Sequence, residues 1–201
     1  MISMKIDAKA VQKALKQIEK QMPFAISSAL NNTAFAVRDE EVKALTKHLD
    51  RPTPFTSRAY NVDKATKQRL VAAVQARPMQ AKYLQYAVDG GTKTASPKGK
   101  RPIVPAMDRY LNQYGNIPRG ILPALAKDRK RFFSGRPKGK GASAEGLWQR
   151  DGNRLRLVVA YERSVQYKTR LPFYEVARAT ADRRFAIEFR KAFARAMATA
   201  K

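Results

Sequence analysis

The chain has 201 residues, of which 41 are Lys or Arg and 16 are Asp or Glu, so its formal net charge is +25 at pH 7. Hydrophobic residues make up 44% of the chain, which is enough to bury a core and excludes a disordered basic tail. The absence of cysteine excludes disulfides, Cys-ligated metals and thiol nucleophiles, and a single histidine excludes a His-rich metal centre.

The positive charge is unevenly distributed. Residues 1–50 carry eight basic and six acidic side chains, a net charge of +2, and all later residues together carry +23. No apolar run approaches the ~20 residues that cross a bilayer, and the first residues lack the apolar core of a secretion signal. We therefore expect a protein that is made in a cytoplasm, has no membrane partner and binds something polyanionic.

Two helices that meet at a proline are predicted within residues 1–49. In the first, Asp7 suits the N-cap, and four apolar residues recur on one side: Val11, Leu15, Ile18 and Met22. Pro23 lacks a backbone donor and suits the first turn of a new helix, which we predict to end at Leu49. The two helices should pack together, with four residues facing the core or a neighbouring subunit: Leu15, Ile18, Leu30 and Val37.

Short strands and helices follow in the middle of the chain. Residues 58–64 and 69–77 are β-like and separated by four polar or small residues, which predicts a hairpin. Residues 80–88 form either a short helix or an extended segment. Pro118 is predicted to open a helix that runs to about Phe133.

The last third of the chain predicts a hairpin and a long helix. Asp151-Gly152 between two β-rich runs is a strong hairpin signature, and Pro172 should begin a helix that ends near Thr199. We expect Trp148, Phe173 and Tyr174 to anchor this helix on the hairpin, unless they form a patch for a neighbouring subunit. The pattern predicts one α+β domain over residues 1–201, with an antiparallel sheet built from the two hairpins.

The acidic residues and the histidine do not form a catalytic or metal site. Asp39, Glu40 and Glu41 are consecutive on a predicted helix, so they point about 100° apart and cannot converge on one ion. We expect them to pair with nearby basic residues. His48 lies at a helix end, where a polar group is favourable, and has no nucleophilic partner nearby. No catalytic, cofactor-binding or metal-binding residue is predicted, and the chain is not expected to be an enzyme.

Two basic loops are the candidate functional segments, and we place them at residues 92–102 and 134–145. Both are rich in Gly, Pro, Ser and Lys, and we expect them to be flexible unless a partner orders them. The two loops and the predicted helix end before the second loop contain eleven basic residues that we expect to face DNA or a neighbouring protein. They are Lys93, Lys98, Lys100, Arg101, Lys127, Arg129, Lys130, Arg131, Arg136, Lys138 and Lys140. No base-reading module is present, so contact with nucleic acid would involve its backbone. Acidic surfaces of protein neighbours are the alternative partner.

Three segments in the same order resemble a known family. They are residues 50–56 (DRPTPFT), residues 111–119 (LNQYGNIPR) and residues 146–150 (GLWQR), followed by a terminal helix after Leu171-Pro172. Together they resemble the minor tail protein Z family of long-tailed bacteriophages, over nearly the whole chain. Residues 133–145 depart from the family pattern, because this segment is short and rich in Gly and Lys.

The resemblance implies a structural role in the virion. Proteins of that family complete the tail as a ring at the head–tail junction, which implies a homo-oligomer of six copies beside head-closure and tail-terminator or tail-tube proteins. It also implies a position near the packaged double-stranded DNA, after assembly in the host cytoplasm. We expect Arg136, Lys138 and Lys140 to face the DNA path or a neighbouring ring. The alternative function is that of a free, sequence-independent nucleic-acid-binding protein.

Overall fold

The computed structural model describes residues 8–96, 101–138 and 144–199, and its mixed helix and antiparallel-strand content confirms the predicted α+β class. In chain order the elements are α1 (Ala8–His48), α2 (Pro54–Ser57), β1 (Tyr60–Asp63), β2 (Ala73–Ala76), α3 (Pro78–Val88), β3 (Gly91–Thr94), β4 (Ile103–Pro105), a 3-10 turn (Asp108–Tyr110), α4 (Ile121–Lys127), β5 (Phe132–Gly135), β6 (Gly146–Asp151), β7 (Arg154–Tyr161), β8 (Ser164–Tyr167) and α5 (Phe173–Ala198). Within the described residues no helix is long and apolar enough to cross a membrane.

The chain divides into two compact units. The helical unit comprises Met1–Leu45, Pro54–Ala81 and Pro172–Lys201, and the sheet unit comprises Thr46–Thr53 and Lys82–Leu171. Of the chain's Lys and Arg residues, 22 belong to the sheet unit, which has only seven Asp and Glu. The sheet unit is therefore the more strongly basic of the two.

The helix α1 is continuous, which corrects the prediction of two helices that pack on one another. Pro23 lies inside its 41 residues, and the predicted N-cap Asp7 lies outside the described residues. Residues 19–22 include no Gly, Ser, Thr, Asn or Asp, so a helix end there would leave several backbone groups uncapped. One hydrogen bond lost at Pro23 costs less than such a break, and the helix continues.

Burial along α1 begins only after Pro23. All its buried residues follow that proline, and Ala25, Ala29 and Leu45 are completely inaccessible to solvent. Val37 is buried as predicted, whereas Leu15 is 58% exposed, so of the two environments predicted for Leu15 its own core is excluded and a neighbouring subunit stays a prediction. The N-terminal part of α1 does not use its apolar side in the core.

The first hairpin and α5 complete the helical unit. Strands β1 and β2 pair antiparallel, with Tyr60 opposite Ala76, which confirms the first predicted hairpin. Asn31 of α1 exchanges two hydrogen bonds with the backbone of Ala65, at 2.7 and 3.0 Å, and so ties the hairpin connection to the helix. The Phe173 ring lies 5.3 Å from the Tyr60 ring, so the first hairpin supplies an aromatic contact that we had expected from Trp148.

The sheet unit contains a two-stranded sheet, β3–β8, and a four-stranded antiparallel sheet in the order β4-β7-β6-β5. The second predicted hairpin is confirmed, since β6 and β7 pair up to Asp151 opposite Arg154 around the turn at Gly152. The helix predicted after Pro118 is present as α4, but its predicted end at about Phe133 is wrong. The helix ends at Lys127, and residues 132–135 form β5. Residues 80–88 are helical, as one of the two alternatives proposed.

The core of the four-stranded sheet is small and well defined. Phe132, Leu147, Val158 and Val159 are at most 3% exposed and pack against α4 and the 3-10 turn. Gly146 lies so close to the neighbouring strand that an added Cβ would meet the Val159 carbonyl oxygen at 2.1 Å. Only glycine fits there, which fixes the start of β6 against β7.

Truncation of this core should be costly. Leu147→Ala removes a side chain that is 1% exposed, and we expect it to lower the free energy of unfolding by ~2–5 kcal/mol. Leu155→Ala in the adjacent strand is the matched control, because Leu155 is 46% exposed and should cost less than about 1 kcal/mol. Urea denaturation measures both values, and equal effects would contradict the placement of the core.

Candidate nucleic-acid interface

The most concentrated group of cations lies in the turn between α4 and β5, residues Lys127–Arg131, which we call the basic turn. The Asp128 side chain accepts a hydrogen bond from the Arg131 backbone N–H at 3.1 Å. The Asp128 carbonyl oxygen accepts another from Phe132 N–H at 2.9 Å, where β5 begins. The only carboxylate of the turn therefore stabilises its backbone conformation.

A distant arginine also holds the basic turn. Nη1 of Arg150, on β6, donates to the carbonyl oxygens of Arg129, Lys130 and Phe132 at 2.9, 3.2 and 3.2 Å. The Arg150 guanidinium carbon lies 4.7 Å from the centre of the Phe133 ring. The predicted helix end at these residues is wrong, and contacts from within the chain order them as a turn.

The side chains of the basic turn point their charge outward. Lys127, Arg129, Lys130 and Arg131 are all exposed, and none forms a salt bridge with another described residue. The Arg131 guanidinium lies 5.8 Å from the Phe132 ring, which restricts its position while its charge stays exposed. The turn therefore displays four cations from an ordered backbone.

A second basic group surrounds Glu145. Arg101 forms a 2.7 Å salt bridge with this carboxylate. The hydrogen bond from Arg101, and further the positive charges of Arg136 and Arg163, hold the pKa of Glu145 below its ordinary value. Three arginines thus share one carboxylate, which leaves an excess of positive charge at this place.

The structure divides the eleven predicted basic candidates into several locations. Lys93 is exposed on β3, in register with Val165, so residues 92–94 form a strand where a loop was predicted. Likewise, Ser134 and Gly135 of the second predicted loop belong to β5. Lys138 is exposed, whereas three candidates lie outside the described residues: Lys98, Lys100 and Lys140.

The strand β5 connects the basic turn to the group around Glu145. Phe132, at its first position, follows the basic turn, and Gly135, at its last, precedes Arg136. Four strand residues separate their ends by about 10 Å. Along a DNA duplex this distance corresponds to roughly three phosphates of one strand.

We expect Arg150→Lys to loosen the basic turn while the net charge is unchanged. The planar guanidinium of Arg150 lies over the Phe133 ring, and this position holds Nη1 within reach of the three carbonyl oxygens. A lysine lacks the planar group, so its nitrogen is held less firmly and backbone amides in the turn should exchange faster with solvent. Arg154→Lys is the matched control, since Arg154 is exposed at the hairpin turn. Amide hydrogen exchange at Arg131 and Phe132 measures the difference, and unchanged exchange would contradict this role of Arg150.

One titratable residue differs from its predicted environment. Asp39 pairs with Arg38 and Glu40 pairs with Lys43, both at 2.7 Å, as expected. Glu41 is instead completely buried in the helical unit, and neither carboxylate oxygen has a hydrogen-bond partner among the described residues. Burial, with a smaller contribution from the charge of Glu175, raises the pKa of Glu41 to about 8.

Sequence reasoning missed the burial of Glu41, although the spacing of residues along the helix indicates it. Glu41 lies four residues from both Val37 and Leu45, so it shares their side of α1. Val37 is predicted to face the core or a neighbour, and the same geometry places Glu41 on that side. The described residues contain no group of three His, Asp or Glu side chains that could hold a metal ion.

Comparisons with protein-family models, with curated proteins and with solved structures found no match to this chain.

Proposed function

We propose that the protein is a structural component of a long-tailed phage, which completes the tail as a ring at the head–tail junction and contacts DNA through its phosphate backbone. The observation that carries the DNA contact is the basic turn, with four exposed cations on a backbone fixed by Asp128 and Arg150. The ring and the junction come from the resemblance in the sequence.

The chemistry of the basic turn suits a sequence-independent contact. Lys and Arg side chains reach phosphate oxygens, and an ordered backbone lowers the entropy that binding costs. The +25 charge of one chain also exceeds the magnitude of roughly 2–8 that solubility requires of a small domain. A ring of such chains would surround a polyanion with positive charge.

Weak, numerous contacts fit the passage of a genome better than a few strong ones. Exposed cations are screened by salt over about 10 Å, so DNA can move past them without being trapped. The group around Glu145 fits this pattern, because its carboxylate partly neutralises Arg101, Arg136 and Arg163.

Titration of the purified protein with short duplexes of unrelated sequence tests the DNA contact. Four phosphates neutralised by the basic turn predict a slope of log K against log salt of about −3.6 or steeper, and equal affinity for all sequences. Binding that is absent or independent of salt would contradict the proposal and favour acidic protein surfaces as partners.

The genomic neighbourhood separates the tail role from that of a free nucleic-acid-binding protein. Neighbouring genes for head-closure and tail-tube proteins would support the tail role. Tight DNA binding by the monomer, without such neighbours, would favour the alternative function.

A further inference from the structure

The N-terminal part of α1 presents an apolar stripe, which we define as Val11, Leu15, Ile18 and Met22. Val11 is 59% exposed and Leu15 is 58% exposed, although both repeat at helical spacing with two half-buried apolar residues. The stripe spans eleven residue steps, or about 16 Å along the helix. An exposed apolar stripe of this length is typical of a helix that docks into a groove.

The same unit contains a groove of matching character. It has a volume of about 690 Å³ and lies between α1, β2 and α5. Its walls include Leu30 and Val37 of α1, and Phe173, Ala181 and Phe185 of α5. Its lining on α5, from residue 173 to residue 186, extends over about 20 Å, which accommodates the length of the stripe.

One further feature of the groove calls for an occupant. Phe185 lines it and remains 38% exposed. A covering helix would remove this ring from water.

One pair of opposite charges lies beside the two surfaces. Glu19 lies next to the stripe, about 70° around the helix from its centre, and forms no salt bridge with a described residue. Arg178, on α5 at the groove, is exposed and likewise forms no salt bridge within the described part of the chain. A docked stripe can therefore bring a carboxylate and a guanidinium together.

The stripe cannot reach the groove of its own chain. The stripe and one wall of the groove belong to the same helix, since residues 8–48 form a single α1. A helix cannot fold back on a groove that it helps to form. The occupant must come from another molecule, and this chain itself supplies a helix of suitable length, polarity and charge.

We propose that the apolar stripe of one copy docks into the α1–β2–α5 groove of a second copy. The stripe and the groove are different surfaces, so copies add head to tail. They form a ring when the rotation between successive copies closes on itself after a whole number of copies. This inference rests on the proposed function, because it names the contact by which the ring would assemble.

Cysteine pairs test the contact directly, because the natural chain has no cysteine to compete. Leu15→Cys protein is mixed with differently tagged Ala181→Cys protein under mild oxidation, at a salt concentration that screens repulsion between the basic chains. We expect a disulfide-linked heterodimer to form faster, on the order of tenfold or more, than in the control mixture of Lys16→Cys with Ala181→Cys. Lys16 is exposed and lies about 100° around the helix from Leu15.

A charge exchange provides the second measurement. Glu19→Arg or Arg178→Glu alone should slow the formation of the Leu15–Ala181 disulfide, and the two changes together should restore it. Equal rates for the Leu15 and Lys16 mixtures would overturn the docking. Such a result is distinguishable from failure of the proposed function, because DNA binding by the basic turn is measured separately.

Discussion

Reversal of three cations in the basic turn should remove most of the DNA affinity. In the variant Arg129→Glu, Lys130→Glu and Arg131→Glu, three phosphate contacts are lost and replaced by repulsion. The slope of log K against log salt should become shallower by about 2.7, and the affinity should fall on the order of 100-fold at about 200 mM salt. Asp128 and Arg150 are retained, so the turn keeps the side chains that order its backbone.

A matched variant separates position from total charge. Lys13→Glu, Lys16→Glu and Lys20→Glu make the same change in net charge on exposed residues of α1. This variant should keep the greater part of the wild-type slope of log K against log salt, because the three lysines that it replaces lie outside the basic turn. Equal losses in the two variants would contradict a specific role for the basic turn and reduce DNA binding to net charge. In a phage that carries the gene, the basic-turn variant should also yield fewer infectious particles.

Removal of the buried acid at position 41 should make the protein more stable at alkaline pH. The folded protein retains the Glu41 proton up to pH about 8, whereas the unfolded chain releases it near the ordinary value of 4.5. Between these values the unfolded state binds fewer protons, so the free energy of unfolding falls as pH rises. The full loss above pH 8 is on the order of 4–5 kcal/mol.

The variant Glu41→Gln cannot titrate, so it should not show this loss. Its free energy of unfolding should be close to that of the wild type near pH 5 and clearly higher than that of the wild type near pH 9. Urea denaturation at each pH measures both values. Glu40→Gln is the control, since Glu40 is partly exposed and paired with Lys43, and it should retain the wild-type decline. A wild-type stability that is constant from pH 5 to pH 9 would contradict the burial of an unpaired carboxyl at Glu41.

Elements defined by local sequence were predicted well. The hairpin at Asp151-Gly152 requires a positive φ, which Gly152 supplies at +56°, and the same local preference is visible in the sequence. Pro172 fixes the start of α5 in the same local way. The antiparallel α+β class follows from such elements alone.

Elements determined by distant contacts were missed or misassigned. Strands β3, β4, β5 and β8 have three or four residues each, too few for a two-residue period to stand out. The basic turn is misassigned as the end of a helix because its conformation depends on Arg150, some twenty residues away. The burial of Glu41 was missed although helical spacing contains the signal for it, and the lack of a partner for its carboxylate among the described residues depends on the tertiary packing.

Cryo-microscopy of assembled particles of a phage that carries this gene tests the proposed role most directly. A structural protein of the junction should form a closed ring at the top of the tail, with the basic turn facing the channel that the DNA occupies. The apolar stripe of each copy should lie in the groove of its neighbour. Absence of the protein from the particle, or a ring whose basic turns all face outward into solvent, would contradict the proposed function.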